Sequence, residues 1–91
     1  MESSKKLKTS SDFMLYKGDG ESLDFFLFNV KEGQVFQINA TSYDFLSLCN
    51  GERTLQEIFV EMAKMYSIEG KTLEKDFTPL IEQWSELKIF I

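Results

Sequence analysis

Histidine is missing from this chain altogether, and cysteine, proline and tryptophan each occur once. Losing histidine removes the commonest general acid–base and the commonest metal ligand together. A hydrolytic or metal centre would have to be built from carboxylates alone, and these are scattered over polar positions. The sequence therefore predicts no catalytic residue, no metal site, no cofactor and no enzyme. The lone Cys49 cannot close an internal disulfide, which favours a reducing compartment. It falls beside Leu48 on an apolar helix side with no base near it, so it reads as a small buried hydrophobe. Long apolar runs are also lacking. Those at 25–28 and 89–91 fall far short of the ~20 residues that cross a bilayer, and no signal-peptide stretch follows the lysines at the start. The expectation is a cytoplasmic protein without membrane contact. Positive charge is in the minority, 10 basic against 15 acidic side chains for a net charge of -5.

What is present is bulk. Nine of the 91 residues are phenylalanine, and 43% of the chain is hydrophobic against 27% charged. That composition suits one soluble domain with a modest core, too short for two. The first eleven residues hold four serines and three lysines and read as a flexible tail, leaving a domain over 12–91.

Within that domain the patterning changes period once. Residues 13–16 form a short apolar run closed by the turn cluster Gly18, Asp19 and Gly20, and predict a first strand. Residues 24–30 are nearly continuously apolar, as for a strand covered on both faces. Lys31, Glu32 and Gly33 make a tight hairpin loop into a third strand at 34–39. There Phe36 and Ile38 point one way, and Val35, Gln37 and Asn39 the other. The period then becomes helical. Thr41, Ser42, Tyr43 and Asp44 have the form of a capping box, with the Thr41 hydroxyl accepting the Asp44 N–H. Phe45, Leu48 and Cys49 follow at helical spacing until Asn50 and Gly51 stop the helix. A second box, Thr54 to Glu57, opens a helix whose apolar face is Leu55, Ile58, Phe59, Met62 and Tyr66. In the last helix Leu73, Phe77, Leu80, Ile81, Trp84 and Leu87 keep one unbroken phase. Pro79 therefore sits inside a bent helix, in preference to a start after Asp76. Three apolar residues at 89–91 are expected to tuck against the sheet.

Ile38, Asn39, Ala40 and Thr41, then Asn50, Gly51, Glu52, Arg53 and Thr54, then Glu57 and Ile58, and finally Asp76 and Phe77 resemble the PqqD-like family, the RiPP recognition elements. The resemblance runs from about residue 24 to 91. Asn50 stands where the family more often has Asp, and Lys88 with Ile89 where a glycine-apolar ending is usual. The order of elements is that of an α+β, winged helix-turn-helix-like domain: a three-stranded antiparallel sheet followed by three helices. The third helix lies across the sheet beside the edge strand, and a groove separates them.

The resemblance implies a peptide-binding module. Such domains take the leader segment of a ribosomally synthesised precursor as an added strand on the third strand. They present it to a maturation enzyme of radical SAM, cyclodehydratase or leader peptidase type. An edge strand offers free N–H and C=O groups that an extended peptide can satisfy. The peptide-binding candidates are Val35, Gln37 and Asn39 at the edge, with Phe77, Leu80, Ile81 and Trp84 along the groove. The apolar helix residues serve a core equally well, and Arg53 with Thr54 reads as turn and cap. An open edge also gives a route to a homodimer by self-pairing. Two other classes compete. A winged helix commonly binds nucleic acid, but such a reader needs basic side chains on its inserted helix. Here the last two helices carry mainly Glu57, Glu61, Glu74, Asp76, Glu82 and Glu86, so no nucleic-acid partner is expected. An accessory subunit of an enzyme complex that binds no peptide would use the same edge and groove.

Overall fold

The computed structural model describes residues 6–18 and 24–91. Its centre is the Phe45 ring, fully buried and stacked on Phe77 with centroids 4.9 Å apart. Trp84 lies 5.8 Å from Phe45 and Phe59 5.9 Å, so one aromatic cluster joins all three helices. Tilted and offset ring pairs of this kind add attraction beyond the area they bury.

Three strands form the main antiparallel sheet in the order β2-β3-β4: β2 is Phe13–Lys17, β3 is Phe25–Asn29 and β4 is Gln34–Ile38. Alternation decides their faces. Phe13, Leu15, Leu27, Phe36 and Ile38 turn toward the helices, where they form or pack on the core. The β3–β4 register pairs Leu27 with Phe36 and Phe25 with Ile38. In the hairpin loop the Asn29 side chain accepts the N–H groups of Lys31 and Glu32, both at 3.1 Å. Gly33 there has a φ of 75°, the left-handed region that glycine enters without strain.

Helix α1, Ala40–Leu48, starts earlier than its sequence suggests. Its cap is Asn39, not Thr41. The Asn39 Oδ1 accepts the Ser42 N–H at 2.8 Å, and the Thr41 hydroxyl donates to the same oxygen at 3.0 Å. Asparagine caps a helix at least as well as threonine, so the amide takes the position and Thr41 falls inside the first turn. The second box forms as expected and opens α2, Leu55–Tyr66: Glu57 N–H meets the Thr54 hydroxyl, and Thr54 N–H meets the Glu57 carboxylate. Between these helices, the residues expected to be only a stop and a turn form a strand, β5, Asn50–Thr54.

The partner of β5 is β1, Lys6–Lys8. Residues 6–11, expected to trail from the domain, are thus part of the fold, while residues 1–5 lie outside the described residues. Leu7 is buried against the core, and β1 takes hydrogen bonds on both sides. Thr9 N–H donates to Cys49 O, Ser10 N–H to Ile89 O, and Ile91 N–H to Lys8 O. The C-terminal residues therefore bond through their backbone to the N-terminal segment, while the buried Ile89 side chain lies beside Leu27 of the main sheet and Ile91 stays exposed. Gly51 has a φ of 85°, and the Lys8 side chain packs 3.2 Å from where a β-carbon would stand.

Helix α3, Gly70–Glu86, runs through Pro79 without interruption, which excludes the late start after Asp76. Pro79 is exposed, so the Lys75 carbonyl that loses its donor faces solvent.

Candidate functional site

Strand β4 bonds to β3 on one side only, and among the described residues no other backbone group bonds to its free side. Every second residue along that side presents an unpaired N–H and C=O to solvent. Beside it, between β4 and α3, lies a groove of about 420 Å³. Leu27 and Ile89, both essentially without exposure, form the floor. Phe36 and Ile38 form the strand wall, and Leu80, Gln83, Trp84 and Leu87 the helix wall. Gln37, Asn39 and Ser42 complete the lining, so no ionisable side chain borders the groove. Past Phe36 and Leu87 it continues into a second depression of about 460 Å³, where Asp12, Lys31, Glu32, Glu86 and Lys88 supply charge of both signs.

Helix α3 presents two stripes. Leu73, Phe77, Ile81 and Trp84 are buried, and Leu80, Gln83 and Leu87 look into the groove. At 100° per residue, Leu80 sits a quarter-turn from Ile81, enough to move it from core to groove. Trp84 belongs to both stripes: it packs on Phe45 and Phe77 and also borders the groove.

The residues singled out from the sequence divide accordingly. Asn39, Leu80 and Trp84 come together along the groove, and Gln37 borders it from the strand edge while its side chain turns to the outer face with Val35. Phe77 and Ile81 turn into the core, 4% and 3% exposed, and support the groove from behind. The side chain of Val35 stands on the opposite face of the sheet, among Met14, Tyr16, Phe26 and Phe28. Asn39 is already occupied as the α1 cap, and Gln37 donates to Asp24 at 3.5 Å. Phe36, Ile38, Gln83 and Leu87 were not among the candidates. The signal for the last two was the spacing 80, 83, 87, one position off the core stripe. For Phe36 and Ile38 the alternation named the correct face but not its opening.

The titrating groups that depart from ordinary behaviour lie elsewhere. Burial pushes the Cys49 thiol up to about 12, which keeps it protonated and inert. The Tyr66 hydroxyl donates to the Asp44 carboxylate between α1 and α2, and that bond pushes its pKa up to about 12. Glu57 is lowered by its hydrogen bonds to Thr54, backbone first. All three are packing or capping groups. Among the described residues no cluster of acids and cysteine could hold a metal ion, and no helix is long and apolar enough to cross a membrane.

None of the curated proteins matches the chain. Among solved structures, TbiB1 in complex with the TbiA(beta) leader peptide has the same fold, with a TM-score of 0.72 over 91% of this chain and 93% of that one at 19% identity. Residues 24–89 match the family described as Coenzyme PQQ synthesis protein D (PqqD), a span that runs from β3 through α3 and includes both walls of the groove. The chain belongs to the PqqD family.

Proposed function

We propose that this protein binds the leader segment of a ribosomally synthesised precursor peptide and presents it to a maturation enzyme. The leader adds as a strand along β4, and alternate side chains enter the groove beside α3. One observation carries the reading: a free strand edge lies directly beside an uncharged groove, in a fold shared with a protein solved around a leader peptide. Backbone groups of β4 supply affinity that any extended chain can use, and the groove supplies selection. Phe36, Ile38, Leu80, Trp84 and Leu87 contact the inserted side chains, while Asn39 and Gln83 border them. Val35 and Gln37 contribute through their backbones.

In this reading the protein acts by binding, and the transformation belongs to the enzyme it serves. The enzyme it serves is of radical SAM, cyclodehydratase or leader peptidase type, and the pair works in the cytoplasm. Duplex DNA is a poor alternative: α2 and α3 expose Glu57, Glu61, Glu74, Asp76, Glu82 and Glu86, which repel phosphates.

The test is a titration of labelled leader peptides from candidate precursors, followed by amide exchange on the complex. Binding at low micromolar Kd or tighter, about -8 kcal/mol, with new protection of alternate amides in β4, supports strand addition. Binding without protection in β4 refutes it.

A further inference from the structure

Part of the groove floor comes from the chain beyond α3, which reverses at Lys88 with a φ of 61°, in the left-handed region. Lys88 N–H donates to Ser85 O at 3.1 Å and Ile89 N–H to Trp84 O at 3.0 Å, the paired bonds of a Schellman stop. The stop turns Ile89 back into the floor, where it is fully buried. Glycine takes the left-handed position without strain, whereas a lysine there is strained. The reversal at Lys88 therefore leans on contacts made by the residues that follow it.

Those contacts come from the other end of the chain. Ser10 N–H donates to Ile89 O at 2.6 Å, Thr9 and Phe90 form an antiparallel bridge, and Ile91 N–H donates to Lys8 O at 2.9 Å. Residues 7–10 are themselves well anchored. Leu7 and Ser10 are each 8% exposed, β1 pairs with β5, and Thr9 N–H donates to Cys49 O at 2.9 Å. Phe90, held in this way, meets Trp84 edge-on with centroids 6.4 Å apart. The Ile89 floor and the Trp84 wall thus rest on a segment that does not line the groove and that precedes the span matched to the family.

We infer that residues 7–10 are positioning residues for leader binding, a role that rests on the leader-binding reading and says which remote segment sets the affinity. They act on the peptide through Ile89 and Phe90, by keeping the groove in the shape that receives it. A floor already in place spares the complex the loss of freedom that ordering it would cost. When the segment detaches, Ile89 O loses its donor, the strained turn at Lys88 relaxes, and Ile89 is free to leave the floor. Coupling of this kind is reciprocal, so a bound leader also holds residues 7–10 in place. A segment that merely adds stability behaves differently: its loss lowers the folded fraction and leaves the affinity of the folded molecules as it was.

Titration of the full chain with labelled leader peptides of candidate precursors tests the inference, in parallel with amide exchange. Ser10→Pro deletes the donor to Ile89 O, and Met62→Ala removes buried carbon from α2, away from the groove. Both are measured below their unfolding transitions, checked by circular dichroism, so that affinity refers to folded protein. The expected result is a leader Kd raised about ten-fold by Ser10→Pro and changed less than about two-fold by Met62→Ala. Adding Lys88→Gly to Ser10→Pro recovers at least about three-fold of that loss, because glycine keeps Ile89 turned back without strain. In the unsubstituted protein a saturating leader slows exchange of the Ser10 and Ile91 N–H groups more than that of Ile68 N–H at the end of α2, a readout that needs no variant to fold. Exchange at Ser10 and Ile91 that ignores the leader overturns the inference. So does a folded Ser10→Pro chain that binds as tightly as the unsubstituted one, or a Met62→Ala chain that loses as much affinity. An unsubstituted chain that takes up none of the leaders defeats the leader-binding reading and this inference together, whereas the other outcomes defeat the inference alone.

Discussion

Two adjacent residues of α3 should respond to truncation in opposite ways. Ile81 is 3% exposed and sits in the core cluster with Phe77 and Trp84. Ile81→Ala removes buried carbon and leaves a cavity, for a loss of about 2–5 kcal/mol. In a domain with roughly 5–10 kcal/mol of total stability, that is a large share. Leu80 is half-buried on the groove wall. Full burial of a leucine contributes about 1.5–3 kcal/mol, so Leu80→Gln forfeits only ~1 kcal/mol of folding stability. Its larger effect falls on the complex, where the glutamine amide must be desolvated against an apolar side chain, weakening a bound leader about ten-fold or more. Trp84 reports both processes, since the only indole of the chain packs on Phe45 and borders the groove. Urea titration followed by Trp84 fluorescence gives stability, and peptide titration at constant urea gives affinity. If Leu80→Gln costs as much stability as Ile81→Ala while leader affinity is untouched, the two-stripe assignment of α3 is wrong.

Asn39→Ala removes the acceptor that caps α1 and should cost about 1 kcal/mol in urea unfolding, whereas Thr41→Ala should cost less, since Thr41 is not the cap. Cys49 should resist a thiol-specific reagent in the native protein and react fully in denaturant, because its thiol is buried and held protonated. Glu57 has a folded pKa below its unfolded one, so its contribution is present above the ordinary carboxylate range and fades as pH falls through the lowered value. Glu57→Gln should therefore flatten the acid limb of a thermal-stability profile and leave the shape above neutrality unchanged.

Elements whose signals are local were legible in the sequence. The box at Thr54 and Glu57 needs only four residues, and alternation along β4 assigned Phe36 and Ile38 to the inner face. The strand pair β1–β5 was not legible. Lys6–Lys8 offers one apolar residue, Asn50–Thr54 has the composition of a turn, and only their long-range pairing makes either a strand. The α1 cap was misplaced because asparagine and threonine both cap well and stand two positions apart. The groove was legible as a place but only partly as a residue list. An unbroken apolar phase from Leu73 to Leu87 says that α3 is covered, not which part is covered by its own chain and which by a guest.

The geometry of the edge also dictates how a leader is read. Backbone bonds to β4 are the same for every extended chain, so they cannot distinguish one peptide from another. Discrimination falls to alternate residues of the guest, those whose side chains turn toward Leu80 and Trp84. A charge there must leave water for a lining of Leu27, Phe36, Ile38, Leu80 and Leu87 with only neutral amides and one serine nearby. Nothing in that lining offers a counter-charge, so the desolvation is not recovered and costs several kcal/mol. The intervening residues project to the other side of the sheet, beside Val35 and Gln37, where solvent remains within reach. Lysine substituted at successive positions of a bound leader should therefore weaken it in alternation, strongly at one residue and weakly at the next, along the part of β4 that borders the uncharged groove. A uniform loss, or one that tracks total charge, would mean that the peptide does not lie on this edge as a strand.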